Sequence, residues 1–139
     1  MKLTVERVSL LRAVDFFATT DTDILARVAE ILEEVEAKAN ERIIEAGELG
    51  TSMYIIVSGR VRVHDGERTL SEMERGQVFG ELSALDPEHR TASVSACEDT
   101  LLLRLDHEAL FDMMGQRVEV AHAIIRFLVR RYGRPAHPH

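Results

Sequence analysis

The sequence predicts an α+β domain built around a small antiparallel sandwich or barrel, with helices at both ends. Three observations predict it. An apolar stripe at spacings of three and four marks the first third, short apolar runs punctuated by glycine fill the middle, and helical periodicity returns after Asp106. Length and composition agree with a single soluble globular unit: 139 residues, 45% apolar and 29% charged.

The elements follow in order. Val8 to Phe17 reads as a short helix and turn packed onto the helix that follows. Thr20-x-x-Asp23 resembles a capping box, with aspartate where Glu or Gln is usual. Ile24, Val28, Ile31, Leu32 and Val35 then form one stripe, which carries helix to about Glu34. From Val35 to Leu105 the character is β. The run MYIIV, 53–57, is a buried strand, and VRVH-DG-ERTL is a hairpin whose Asp65-Gly66 pair suits a type I′ turn. In that register Leu70 falls opposite Val61 and Met73 lands on the wrong face, which a bulge or an early strand end would explain. Strands resume at 91–96 and 100–105. Asp106 is the expected N-cap of a helix HEALFDMM, with Gly115 as its αL stop and a hinge before the next helix. The last helix, Arg117 to Tyr132, carries Ala121, Ile124, Ile125, Leu128 and Tyr132 on one face, widened by Val120 and Phe127. The domain is therefore expected to span 1–133: helices in 1–34, the β unit in 35–105, C-terminal helices in 106–132, and a disordered tail in 134–139.

Charge and composition remove several function classes. A net charge of −7 argues against direct nucleic-acid binding, since phosphate backbones require a basic surface. The late arginines 126, 130, 131 and 134 suit a solvated helix C-terminus. No apolar run spans a bilayer, and the N-terminus lacks the unbroken apolar core of a signal peptide. Cys97, the single cysteine, forms no internal disulfide and suits a reducing, cytoplasmic setting as a packing residue. The six histidines are scattered, and no His-x-His pair lies on a strand. A jelly-roll metalloenzyme is therefore disfavoured, no metal or cofactor is expected, and no nucleophile–base set appears.

The chemistry concentrates in FGELSALDPEHRTASV, Phe79 to Val94. A strand ending at Phe79, then Gly80, then ELSAL, describes a strand-to-helix turn whose first backbone N–H groups lack internal partners. Gly80 allows close approach of a ligand or a positive φ. The segment returns at Arg90, whose fork can grip two phosphate oxygens, beside the small Thr91, Ala92 and Ser93. A carboxylate at Glu81 would repel a phosphate unless it binds a hydroxyl, and a ribose supplies one. The bland alternative is that Glu81 and Arg90 pair with each other and bind nothing, leaving a passive interaction module that acts through protein contacts.

This segment resembles the phosphate-binding cassette of the cyclic nucleotide-binding domain family, F-G-E-[LI]-[AS]-L followed by R-[AST]-A. Upstream, EAGELGTSMYIIVSGRVRV is similar to that family's pattern through Gly47, Gly50, Tyr54, Ile55, Val57, Gly59 and Val61. The resemblance implies an eight-stranded antiparallel jelly roll flanked by helices, and a regulatory rather than catalytic protein. It implies that Glu81 accepts the ribose 2′-hydroxyl and Arg90 holds the exocyclic phosphate oxygens. Backbone donors at Gly80, Leu82 and Ala92, with the Ser83 and Thr91 hydroxyls, would complete the cradle. The ligand expected is cAMP, with cGMP the alternative through Thr91. The last helix would form a lid through Phe127, Leu128 or Tyr132, and its wide apolar face would also serve a homodimer. The effector would be another protein or a larger polypeptide.

Overall fold

The computed structural model describes residues 4–133, so the expected tail, with His137 and His139, lies outside the described residues. Helix α1 (Thr4–Leu11), a 3-10 turn (Asp15–Phe17) and α2 (Thr22–Glu30) precede the β unit. Strands β1 (Glu33–Ala37), β2 (Arg42–Ile44), β3 (Leu49–Gly50), β4 (Ser52–Ser58), β5 (Arg60–Asp65), β6 (Arg68–Glu74) and β7 (Val78–Phe79) lead into the short helix α3 (Glu81–Leu85). Strands β8 (Glu88–His89), β9 (Ser93–Ala96) and β10 (Thr100–Asp106) then hand over to α4 (His107–Gln116) and α5 (Val118–Tyr132).

Two four-stranded antiparallel sheets, β1-β10-β4-β7 and β2-β9-β5-β6, face each other, and β3 pairs with β8 beside them. This is the α+β jelly roll expected; the β3–β8 pair brings the strand number from eight to ten among the described residues. Strand β4 explains why MYIIV shows no alternation of polarity. Its Met53, Ile55 and Val57 pack on the helices with Phe16, Phe17, Leu25, Leu110 and Phe127. Ile56 faces the second sheet with Ile44, Val61, Phe79 and Val94. Both faces are buried, so both are apolar.

Several boundaries differ from the sequence expectation. Helix α2 stops at Glu30 rather than Glu34, because Arg7 reaches its C-terminus and donates to the carbonyls of Ala29 and Leu32, each at 2.9 Å. Residues 33–37 instead pair with β10, and Val35 packs against the inter-sheet core. Thr20 does not cap α2: Asp21 occupies the N-cap position, with no side-chain cap bond. The hairpin turn is Gly66-Glu67, since Asp65 pairs with Arg68 and only Gly66 of the turn has positive φ. That is the demand of a type II′ turn, not I′. The bulge is present between Val63 and His64; it extrudes Leu70 to solvent and sets Met73, not Leu70, opposite Val61.

Two corrections concern the C-terminal helices. Asp106 caps α4 as expected, accepting from the Glu108 N–H, but Gly115 lies inside the last turn without positive φ. The break comes at Arg117, whose backbone is extended (φ −132°, ψ 98°). Helix α5 is rotated from the expected face: Val120, Ala123, Ile124 and Phe127 are buried, while Ile125 and Tyr132 are exposed. Among the described residues, no helix is long and apolar enough to cross a membrane.

Candidate functional site

The turn after β7 takes the form the residues suggested. Gly80 is the N-cap of α3 in the left-handed region, φ +75°. A Cβ there would lie 2.7 Å from Arg90 Nη1 and 2.9 Å from the Ser52 carbonyl oxygen. A Cβ at Gly50 would collide with the Arg90 Nε. The guanidinium therefore lies across two glycines that exist to make room for it.

Arg90 is fixed from both ends. Its N–H donates to the Glu48 carbonyl and its own carbonyl accepts from the Gly47 N–H, both at 2.8 Å. The turn EAGELG, far upstream in sequence, thus clamps the arginine backbone. The guanidinium donates to Ser83 Oγ at 3.0 Å and to the Ser52 carbonyl at 2.7 Å. No carboxylate pairs with Arg90 among the described residues, and burial, only partly offset by Tyr54, lowers its pKa.

Three cavities share Arg90 as a wall. The largest, about 340 Å3, is lined by Gly80, Glu81, Leu82, Ser83 and Thr91. A second, about 200 Å3, is walled by Ile44, Val63, Phe79, Ala92 and Val94. A third, also about 200 Å3, lies toward Tyr54, Glu48 and Arg104. The structure thus brings together all seven cassette residues, Gly80 to Ser83 and Arg90 to Ala92, around two cavities. Ser83 is buried, whereas Leu82 and Thr91 are exposed.

Glu81 shares the 340 Å3 cavity with Arg90 but forms no ion pair with it. Its carboxyl is pushed above the ordinary glutamate value of 4.5 by burial and then by Asp15, with Arg131 opposing. Asp15 and Arg131 are themselves paired at 3.1 Å, joining the 3-10 turn to α5. Asp106 shows the opposite balance. Burial alone would raise it, but hydrogen bonds from Ser52, Thr51 and the Glu108 N–H, with Arg104 nearby, hold it below 3.8.

The lid residues lie elsewhere. Phe127 is buried in the helical core, its ring centroid 5.8 Å from that of Phe16. Leu128 is half-buried and Tyr132 exposed, and none of the three lines a cavity around Arg90. The sequence reading missed Ser52, Arg104 and the structural pairing of Gly50 with Arg90. The glycine had a usable signal in its motif position; the other two had none.

Known proteins share the sequence pattern and the fold. The family model described as cyclic nucleotide-binding domain matches residues 34–117. A CRP-like cAMP-activated global transcriptional regulator from Mycobacterium tuberculosis is 30% identical over 130 residues, covering 90% of this chain and 58% of that protein. The cyclic AMP receptor protein of Thermus thermophilus is 42% identical over 94 residues, 64% of this chain and 44% of that protein. The chain therefore spans about half the length of these relatives. Among solved structures, the N-terminal domain of a transcriptional regulator from Streptomyces coelicolor A3(2) superposes with a TM-score of 0.82 at 31% identity, covering 88% of each chain. Fold, cassette and sequence match converge on the same stretch of residues, and the chain belongs to the cyclic nucleotide-binding domain family.

Proposed function

We propose that this domain is a cAMP sensor that binds the nucleotide's ribose and phosphate in the 79–92 cassette and signals through its C-terminal helices. The observation that carries the reading is the state of Arg90: a half-buried cation without a carboxylate partner among the described residues, facing cavities and held by only two hydrogen bonds. A cation withdrawn from water and left unpaired is unfavourable unless an anion joins it. The missing Arg90–Glu81 pair also counts against the passive interaction module.

In this reading the Arg90 fork holds the two exocyclic oxygens of the cyclic phosphate. Glu81 accepts the ribose 2′-hydroxyl across the same cavity. The backbone N–H groups of Gly80, Leu82 and Ala92, with the Ser83 and Thr91 hydroxyls, complete the cradle. Preference for cAMP over cGMP draws support from the two bacterial relatives, one a cAMP-activated regulator and the other a cyclic AMP receptor protein. A cGMP-dependent protein kinase of Caenorhabditis briggsae, 34% identical over 116 residues, keeps cGMP as the comparison ligand.

Since neither Leu128 nor Tyr132 lines the cavities beside Arg90, a lid made by either requires α5 to move. Nucleotide drives such a movement only through unequal affinity for the two positions. The output passes to a partner protein or to further parts of a larger polypeptide, with the exposed Ile125, Val129 and Tyr132 as the surface for a homodimer. The domain itself is regulatory, with no nucleic-acid contact of its own.

Calorimetric titration with cAMP, cGMP and AMP tests the reading. Binding of cAMP well above AMP is expected; equal affinity for the two would overturn the cyclic-phosphate assignment. Silence with all three would favour the interaction module. Arg90→Ala should remove measurable binding altogether.

A further inference from the structure

The hydrogen bonds that hold Arg90 lead away from the cavity as well as into it. Its acceptor, the carbonyl of Ser52, belongs to the first residue of β4, which is buried and pairs in register with Asp106, the last residue of β10. The Ser52 hydroxyl donates to Asp106 Oδ1 at 2.7 Å and accepts from Arg104 Nε at 3.1 Å. Thr51 donates to the same carboxylate oxygen at 2.9 Å, and an Arg104 nitrogen stands 3.6 Å from it. The second oxygen of Asp106 accepts the Glu108 N–H at 3.1 Å, capping α4. At the next residue, His107 Nδ1 donates to the Ala84 carbonyl of α3 at 2.9 Å.

Keeping β4 beside β10 requires none of these side chains, because the backbone ladder supplies that pairing along 52–58. A network of Arg, Asp, Ser and Thr at the end of a sheet is favourable only when its members satisfy one another, and it then fixes one geometry. The geometry fixed here is the direction of one carbonyl, and that carbonyl, together with Ser83 Oγ, sets the plane of the Arg90 guanidinium. A planar fork that must meet two oxygens at once is sensitive to its plane.

We infer that Ser52 and Asp106 are positioning residues for Arg90, orienting its guanidinium in the cavity and tying it to the first turn of α4. The inference rests on the reading of Arg90 as the phosphate-gripping group. The Asp106 carboxylate thereby serves two elements: one oxygen holds the Ser52 hydroxyl, the other holds the helix. Arg104, bound to both Ser52 and Asp106, braces the pair.

The test uses the full chain in two measurements, calorimetric titration with cAMP and 15N relaxation of the Arg90 Nε–H group without nucleotide. Ser52→Ala should weaken cAMP about tenfold, the scale of one lost hydrogen bond. Ser52→Thr, which keeps a hydroxyl, should return to within about threefold of wild type on the same scale. Asp106→Asn keeps the α4 cap, since asparagine caps as well as aspartate, and should fall between them. The Arg90 Nε–H should be rigid in the wild type and mobile in Ser52→Ala. Wild-type affinity and unchanged Arg90 order in both Ser52→Ala and Asp106→Asn, whatever their melting temperatures, would overturn the inference. Should the wild type bind no cyclic nucleotide, the sensor reading fails by itself. The relaxation measurement then still decides: order lost in Ser52→Ala supports the positioning role, order kept rejects it.

Discussion

Glu81 sits where two demands on a carboxylate conflict. It accepts a ribose hydroxyl most strongly when ionised, yet burial first, and Asp15 after it, favour the neutral form, while Arg131 opposes both. The sign follows. With its pKa raised, Glu81 is protonated in the folded chain at a pH where an ordinary glutamate is still charged, so its contribution to stability is present below 4.5 and lost as pH rises through the raised value. Nucleotide binding favours the other form. Affinity for cAMP should therefore fall as pH drops toward the raised value, sooner than an ordinary glutamate would allow, and Glu81→Gln should flatten that profile. Titrations in a pH series check this, and an unchanged profile in Glu81→Gln would count against the ribose role. Asp106 runs the opposite way: its stabilisation is present above 3.8 and disappears as pH falls through its lowered value. At neutral pH, Glu81→Ala should weaken binding by about 1–3 kcal/mol, the scale of a hydrogen bond to a charged group. Loss of Arg90 should be far more damaging, because the remaining cradle is neutral donors alone.

At the scale of elements, legibility followed the range of the interaction. Glu81 and Arg90 could be read from the sequence because the cassette is contiguous and its glycine, carboxylate and arginine keep a motif spacing. The link from Arg90 through Ser52 to Asp106 could not, although Asp106 was legible as a helix cap, because its bonds join residues 38 and 54 positions apart. Strand β4 was legible because burial on both faces writes an apolar run. The end of α2 was not, since Arg7 and β10 decide it from a distance. The hairpin was misplaced by one residue because Gly66 serves either turn, and only the bulge at Val63/His64 selects the register. Helix α5 has more apolar residues than one docking face uses, so periodicity alone could not choose among rotations. The structure chooses Phe127, 8% exposed and set edge-on to Phe16. Phe127→Ala should destabilise the domain by about 3 kcal/mol, as for other buried aromatic truncations. Because Phe127 anchors α5 to the 3-10 turn, amide exchange should rise most along α5. Denaturant unfolding with hydrogen exchange measures both, and protection of α5 equal to wild type would deny it that anchoring role.

The molecule as a whole carries a charge of −7 and is proposed to capture an anion. Two fields act on that ligand. The distributed acidic surface repels it over a range set by the Debye length, about 10 Å at 0.1 M salt. The Arg90 guanidinium, half-buried, attracts it at contact distance, where screening is weaker than between separated surface charges. Added salt therefore removes the repulsion while leaving most of the attraction. The affinity for cAMP should stay level or rise slightly between about 50 and 300 mM salt, changing by less than about threefold. A ligand bound through many exposed basic side chains behaves differently, losing orders of magnitude over a similar range as counterions return. Titration across the salt series distinguishes the cases. A steep fall would mean that the nucleotide lies on the surface, near the exposed arginines of α5, and not in the cavity beside Arg90. A flat or rising response, abolished together with all binding in Arg90→Ala, is what a single half-buried guanidinium working against the field of its own protein would produce.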